Sequence, residues 1–127
     1  MPTNFRLDPA SGVPFYRQIT DQILGGIATG ALSAGEQLPT VRALAVELKV
    51  NLNTVAKAYK ELEIRGVLTT QQGSGTYVAP VELQRDELER RRQVVQLLDE
   101  FLARAAALGL PLAEIARELD ERLGGET

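Results

Sequence analysis

Residues 50–66, VNLNTVAKAYKELEIRG, carry the pattern that most restricts how this chain can fold. Apolar side chains recur there at steps of four and three, which is one face of a helix with 3.6 residues per turn. Asn51 can cap the helix start through its side-chain oxygen, and Gly66 can end the helix in a left-handed conformation. The apolar face consists of Val55, Tyr59 and Leu62. The other face is polar, and we expect it to be exposed.

A second short amphipathic helix is predicted directly before this one, over residues 40–49. Thr40 is a good N-cap after Pro39, and Lys49 places a cation at the negative end of the helix dipole. The apolar positions are Val41, Leu44, Ala45 and Leu48. About three residues separate the two helices, and two one-sided helices joined so tightly are typical of a helix-turn-helix.

The period of the sequence changes from helical to extended after residue 66. VLTTQQ and TYVA are rich in Val, Thr and Tyr, and the GSG between them predicts a β-hairpin with a glycine-rich tip. A hairpin that directly follows a helix-turn-helix is a wing. Helix pair and wing in this order are more specific than either part alone.

The segments before the helix pair are predicted to complete the same unit. Residues 15–28 favour a helix with Ile19, Ile23 and Ile27 on one face, and residues 5–8, FRLD, favour a short strand. A one-step strand is possible at Gln37 and Leu38. The aromatic residues Phe15, Tyr16, Tyr59 and Tyr77 are expected in the core. Tyr16, at a helix start, is also a candidate for a phosphate contact.

Three runs together resemble the winged-helix DNA-binding domain of the GntR family of bacterial transcription regulators. They are GEQLPTVRALA at residues 35–45, VNLNTVAKAYKELEIRGVL at residues 50–68, and GSGTYV at residues 73–78. NTVAKAY and the earlier LDPASGVPFYRQI are similar to the YtrA subgroup, which has a short C-terminal region. The resemblance covers residues 12–79 and implies a mainly α winged helix-turn-helix fold. It also implies targets that include transporter operons and the protein's own gene.

The polar face of the second helix is the predicted DNA-reading surface. We expect Asn51, Leu52, Asn53, Thr54 and Lys57 to face DNA. An Asn amide can bond adenine in a bidentate way, and Lys can reach guanine or phosphate. The alternative is an ordinary solvated helix face. The family often has Arg or Pro where this chain has Leu52, which predicts weaker salt-dependent binding or contact with thymine methyl groups.

Two further places are predicted to touch DNA. The resemblance implies a contact from Arg42, and Thr40 stands at a helix N-terminus, where backbone N–H groups suit a phosphate. In the wing, Gln72, Gly73 and Ser74 are expected to approach the minor groove or the backbone, because Gly allows close approach. Gln72 replaces a residue that is often basic in the family. The alternatives are a capping Thr, a surface Arg and an ordinary hairpin turn.

The C-terminal third is predicted to be a two-helix dimerisation hairpin, so that the chain divides into residues 1–80 and 81–127. A helix over residues 83–108 ends at Gly109, and Pro111 fits the first turn of the next helix. The proposed dimer contacts are Val94, Leu98, Phe101, Leu102, Ala105, Leu108, Ile115 and Leu119. A hairpin this small cannot bury both apolar stripes alone, whereas a second copy would cover them. The alternative is packing onto the winged domain.

Charge and composition exclude several functions. The net charge is −3, but residues 1–80 carry +1 and residues 81–127 carry −4, so the acidity lies away from the reading helix. The chain has no Cys and no His, which removes Cys/His metal sites and imidazole or thiol catalysis. No signal peptide or membrane span is seen, so we expect a cytoplasmic protein. No enzyme motif, metal or cofactor is indicated, and no residue points to a small-molecule effector.

The main hypothesis is a DNA-binding transcriptional regulator, a repressor that binds a palindromic operator as a homodimer. The first alternative is a winged-helix module that binds proteins and not DNA, which the net acidity favours. The second is a hydrolase that uses the C-terminal carboxylates, although these alternate with Arg and read as solvated pairs. Steep weakening of binding with salt would distinguish DNA from a largely apolar protein partner.

Overall fold

The computed structural model describes residues 5–80 and 87–124, which form five α-helices and one two-stranded sheet. The elements are α1 (Phe15–Thr29), α2 (Val41–Leu48), α3 (Leu52–Ile64), β1 (Leu68–Gln71), β2 (Gly75–Val78), α4 (Glu87–Ala107) and α5 (Leu112–Arg122). They fall into two compact units, Met1–Val81 and Glu82–Thr127, called here the winged unit and the C-terminal unit. The predicted class, mainly α with a β wing and C-terminal helices, is confirmed.

The expected strand at residues 5–8 is wrong, because this segment bonds to side chains of α1 and not to another strand. The Asp8 N–H donates to Gln18 Oε1 at 2.8 Å, and Gln18 Nε2 donates to the Asp8 carbonyl at 2.9 Å. Gln22 makes the same pair of bonds with the backbone of Arg6. A primary amide offers both a donor and an acceptor, so it satisfies an extended peptide as a neighbouring strand would.

The helix-turn-helix has the predicted caps and the predicted short joint. Thr40 Oγ1 accepts from the Ala43 N–H at 3.0 Å, and Asn51 Oδ1 accepts from the Asn53 N–H at 2.7 Å. Lys49 ends α2 in the left-handed region, with φ of 59°. This conformation is costly for a residue with a Cβ, but it lets the chain reverse within the joint. The two helices therefore pack against each other directly after this short joint.

The end of α3 turns the chain into the wing. Gly66 has φ of 80° and donates to the Glu63 carbonyl at 3.0 Å, while the Val67 N–H donates to the Leu62 carbonyl at 2.9 Å. These two bonds form a Schellman motif, in which a left-handed Gly satisfies the last helix carbonyls. Strand β1 then pairs antiparallel with β2, in the register Leu68 to Val78.

The core of the winged unit lies between α1, α2, α3 and the base of the wing. Its fully buried side chains are Ile19, Ile23, Leu32, Leu44, Val55, Leu62 and Val78. Tyr59 is also buried, as expected, whereas the same expectation is wrong for Phe15, Tyr16 and Tyr77, which are half-buried. Tyr16 is partly buried and packs against the core. The buried aromatic residue that the sequence did not indicate is Phe5, which follows the glutamine-bound segment into the core.

The C-terminal unit is two helices joined by a tight turn. Gly109 is left-handed, with φ of 70°, and Pro111 is the N-cap of α5, one position before the predicted first turn. The predicted start of the long helix at residue 83 and the domain boundary at residues 80 and 81 touch residues outside the described ranges. Among residues 87–124 the buried side chain is Ala105, at 5% exposure. Ala105 is thus already buried in the single chain and offers little surface to a second copy, so its role in a dimer stays a prediction.

Candidate nucleic-acid interface

The first two turns of α3 present polar side chains to solvent. Asn51, Asn53 and Lys57 are exposed, and Thr54 is half-buried. Leu52, at the start of the helix, keeps 41% of its surface exposed. Val55, Ala58, Tyr59 and Leu62 hold the opposite face in the core. The burial of one face therefore fixes the rotation of α3 and directs its polar face outward.

A shallow depression of about 450 Å³ adjoins this face. It is lined by Pro14, Phe15 and Tyr16 at the start of α1 and by Asn53, Thr54 and Lys57 of α3. The Lys57 ammonium lies 3.9 Å from the centre of the Tyr16 ring. A cation over the face of an aromatic ring is attracted by the ring quadrupole, so this contact orients a flexible side chain. No pattern in the sequence indicated this contact between Lys57 and Tyr16.

The two N-cap residues have part of their hydrogen-bonding capacity already in use. Asn51 Oδ1 accepts from the backbone of α3, and Thr40 Oγ1 accepts from the backbone of α2. Bidentate reading of adenine needs both the oxygen and the nitrogen of an amide. The cap holds the Asn51 oxygen and restricts how its amide can turn toward a base, whereas the Asn53 side chain caps no helix. This difference separates two residues that the sequence treated alike.

Arg42 and the wing residues Gln72, Gly73 and Ser74 are exposed as well. Arg42 lies in the first turn of α2, and the three wing residues form the turn between β1 and β2. Gly73 has φ of 78°, which its lack of a Cβ permits. Nine of the ten residues proposed from the sequence for DNA contact are thus exposed, and Thr54 is partly buried. Accessibility allows a contact but does not test it, so the individual roles stay predictions.

Tyr59 links α3 to the entrance of α2. Its hydroxyl donates to the Pro39 carbonyl at 2.7 Å, directly before the Thr40 cap. Burial raises the pKa of the Tyr59 phenol above its usual range, and the Glu47 carboxylate raises it further. The phenol therefore remains protonated and keeps its donor at neutral pH. Sequence periodicity placed Tyr59 in the core but gave no sign of this bond.

The charge distribution leaves the cations of the winged unit available. The ion pairs found among the described residues, Arg92 with Glu89 and Arg122 with Glu118, both lie in the C-terminal unit.

In residues 5–80 and 87–124, no group of three or more acidic side chains is arranged to hold a metal ion. No helix within those ranges is long and apolar enough to cross a membrane.

A closed three-helix core, an outward polar face on α3 and a hairpin wing define a winged helix-turn-helix DNA-binding unit. The chain belongs to the GntR family of bacterial regulatory proteins, because the model of that family matches residues 15–78. Within the family it is a YtrA-like regulator, as the sequence resemblance indicated, and this interpretation is confirmed.

Two curated relatives show how far the similarity extends. The HTH-type transcriptional repressor YtrA of Bacillus subtilis is 45% identical over 74 residues, which cover 58% of this chain and 57% of YtrA. The uncharacterized HTH-type transcriptional regulator YhcF of the same organism is 36% identical over 105 residues, which cover 83% of this chain and 86% of YhcF. The match with YtrA thus spans little more than half of that protein, whereas the match with YhcF includes C-terminal residues.

A solved structure connects this fold with DNA. The DNA-binding domain of AraR in complex with operator ORX1 is 32% identical, with a TM-score of 0.52, and the match covers 57% of this chain and 90% of that domain. The DNA-binding domain of AraR, which has a similar fold, therefore binds an operator. The chain described here is a DNA-binding transcription regulator of the GntR family.

Proposed function

We propose that this protein is a repressor that binds a palindromic operator as a homodimer and inserts the start of α3 into the major groove. The observation that carries this proposal is the outward polar face of α3 on a unit whose core is otherwise closed. The repressor YtrA, with its 45% identity, supports the direction of regulation. Two-fold symmetry of the protein would require two half-sites in the DNA.

The proposed reading residues have separate roles. Asn53 reads a base edge, because its neighbour Asn51 is engaged as the cap of α3. Lys57 contacts guanine or phosphate, and the ring of Tyr16 holds its ammonium in place. Leu52 contacts a thymine methyl group with its exposed side chain. Thr54 and the amide nitrogen of Asn51 contact the backbone of the same half-site.

The flanking elements position these residues. Arg42 and the backbone at Thr40 contact phosphates beside the half-site. Gln72, Gly73 and Ser74 bring the wing tip to the minor groove or the backbone next to it. Phosphate contacts fix the register of a protein on DNA and add no direct sequence information. Specificity therefore depends mainly on α3, and affinity on all three elements.

The C-terminal unit, Glu82–Thr127, is the proposed dimerisation region. Val94, Leu98 and Phe101 of α4 expose 57%, 53% and 46% of their surface, and Leu119 of α5 exposes 52%. Together with Ile115, Leu97 and the rim pair Glu118 and Arg122, these residues line an open groove of about 690 Å³. Contiguous exposed apolar surface of this kind is typical of protein interfaces. Leu102 and Leu108 are also exposed, and we propose that they contribute to the same interface.

An open groove of this volume is also a place where an effector could bind. We propose that a second copy fills it, because its lining is almost wholly apolar and offers few groups to orient a small molecule. We further propose that the protein acts in the cytoplasm and regulates transcription without catalysing a reaction.

Selection of DNA from a random pool by the purified protein tests this function. A palindromic consensus is expected, with binding that weakens steeply between 50 and 200 mM salt. The double variant Asn53→Ala, Lys57→Ala should lose sequence preference and retain weak binding. Lys60→Ala, which removes an exposed cation from the same helix, should keep the preference.

Three outcomes would contradict the proposal. A consensus without symmetry would reject the dimeric reading of DNA. Unchanged preference in the double variant would reject the residue assignment. If the protein selects no DNA and instead binds another protein in a salt-insensitive way, the alternative of a protein-interaction module would be favoured.

A further inference from the structure

We propose that Gln37 is a positioning residue that holds the tip of the wing against the entrance of α2, so that the wing and the helix-turn-helix meet DNA as one rigid piece. Gln37 lies in the connection between α1 and α2 and is not among the residues proposed to touch DNA. The inference rests on the proposed function, because contact between the wing tip and DNA is itself proposed there.

The base of the wing is held by backbone bonds from this connection. The Gly35 N–H donates to the Val78 carbonyl at 2.8 Å, and the Val78 N–H donates to the Glu36 carbonyl at 2.8 Å. The Leu38 N–H donates to the Thr76 carbonyl at 2.9 Å. Residues 35–38 thus act as a third strand beside β2, but their backbone bonds stop at Thr76, short of the tip.

The side chain of Gln37 continues this attachment to the tip. Its Nε2 donates to the Ser74 carbonyl at 3.1 Å, and the Ser74 hydroxyl bonds to the Tyr77 hydroxyl at 2.7 Å. Gly75 makes room for the amide, because a Cβ at that position would lie 2.6 Å from Gln37 Nε2. Gly75 also has φ of 141°, a conformation that favours Gly. The missing Cβ of Gly75 therefore leaves the space that the amide of Gln37 occupies.

The same connection leads to the rest of the interface. Two residues after Gln37, the Pro39 carbonyl accepts from Tyr59 of α3, and Thr40 then caps α2. The wing tip, the start of α2 and the inner face of α3 are thereby joined through a short chain of contacts. An element that is ordered before binding loses less conformational freedom when it binds. Gln37 should therefore raise affinity without touching DNA.

The variant Gln37→Met tests this role, because Met has a similar length and no amide donor. The bond is exposed, so we expect the winged unit to stay folded. The apparent Kd for a duplex selected by the unchanged protein should rise three- to tenfold. Hydroxyl-radical protection should be lost at the outer, wing-side flanks of the site and kept where α3 binds. Gln96→Met, the same exchange on α4, should leave both measurements unchanged.

A double-variant comparison separates positioning from general destabilisation. In a protein that already carries Gln72→Ala and Ser74→Ala, the change Gln37→Met should have no further effect on Kd, since the wing tip no longer contributes. An equal fold-loss in both backgrounds would overturn the inference, and so would an unchanged footprint in the single variant. If the unchanged protein selects no DNA, the proposed function is rejected, and the role of Gln37 at DNA with it.

Discussion

The two units of this protein contain similar apolar residues but differ in how these are covered. In the winged unit, Ile23, Leu44 and Leu62 have no exposed surface. In the C-terminal unit, Val94, Leu98 and Leu119 each expose more than half of theirs. Three helices and a hairpin can enclose a core, whereas two helices cannot bury both of their apolar faces. The winged unit therefore closes its own apolar core, whereas the C-terminal unit leaves large apolar side chains exposed in the single chain.

The comparison extends to hydrogen bonds. The winged unit ties its parts together over long sequence distances, as in the bonds from Tyr59 to Pro39 and from Gln37 to Ser74. The side-chain bonds found in α4 and α5 join residues four apart in the chain, such as Arg122 with Glu118. Such exposed pairs support a helix by about 0.5 kcal/mol or less and do not fix a tertiary arrangement. These bonds of α4 and α5 are thus local, each within a single helix.

The largest expected effect is loss of the winged core. Leu62→Ala should lower the free energy of unfolding of the winged unit by about 2 to 5 kcal/mol, because it removes a fully buried side chain and leaves a cavity. The three Tyr residues, 16, 59 and 77, all lie in this unit, so tyrosine fluorescence during urea unfolding reports on it alone.

Ile64→Ala is the matched control for this prediction. Ile64 lies on the same helix and exposes 77% of its surface, so its truncation should change the free energy of unfolding by no more than about 0.5 kcal/mol. Similar losses in the two variants would mean that the core of α3 is not closed as described.

A smaller effect, of a different kind, is expected in the C-terminal unit. Phe101→Glu places a charge in the apolar groove, where a second copy would have to desolvate it. The Kd of the dimer, measured by analytical ultracentrifugation, should rise about 100-fold or more, which corresponds to roughly 2.7 kcal/mol. The unfolding of the winged unit, followed by tyrosine fluorescence, should not change.

Gln96→Glu adds the same charge elsewhere on α4 and should leave the dimer intact. A dimer that tolerates Phe101→Glu would show that another surface joins the copies. A loss of winged-unit stability in the Phe101→Glu protein would show that the two units do not unfold independently.

The smallest expected effect comes from removing one long-range hydrogen bond of the winged unit. Tyr59→Phe removes the bond to the Pro39 carbonyl and should lower the free energy of unfolding by about 1 kcal/mol at pH 7. Because folding raises the pKa of Tyr59, its contribution is complete below the unfolded pKa of about 10 and is lost as pH rises above it. The difference between the two proteins should therefore shrink above about pH 10.

Circular dichroism during urea unfolding, at pH 7 and at a pH above about 10, measures the difference in the free energy of unfolding between the original protein and Tyr59→Phe. Tyr16→Phe deletes a hydroxyl at a half-buried position and serves as the control, with little change expected at either pH. A Tyr59→Phe protein as stable as the original at pH 7 would mean that the bond does not hold the entrance of α2.

Local patterns in the sequence were sufficient to predict most of the elements and the polar face of α3. Caps such as Thr40 and Asn51 and stops such as Gly66 act within one helical turn, so their effect can be read from neighbouring residues. The strand expected at residues 5–8 was wrong because Gln18 and Gln22 supply its partners from α1, a pairing that no local pattern records. The side-chain contacts of Lys57 and Gln37 were missed for the same reason.

Period, capping and charge are properties of adjacent residues, so the order of helices and wing, the family and the acidic balance of the C-terminal third could be read from the chain alone. Which residues share a surface depended on the folded arrangement. It placed the Lys57 ammonium over the ring of Tyr16 and joined the wing tip to Gln37. These outcomes depend on contacts between residues distant in the chain, and such contacts exist only once the backbone has folded.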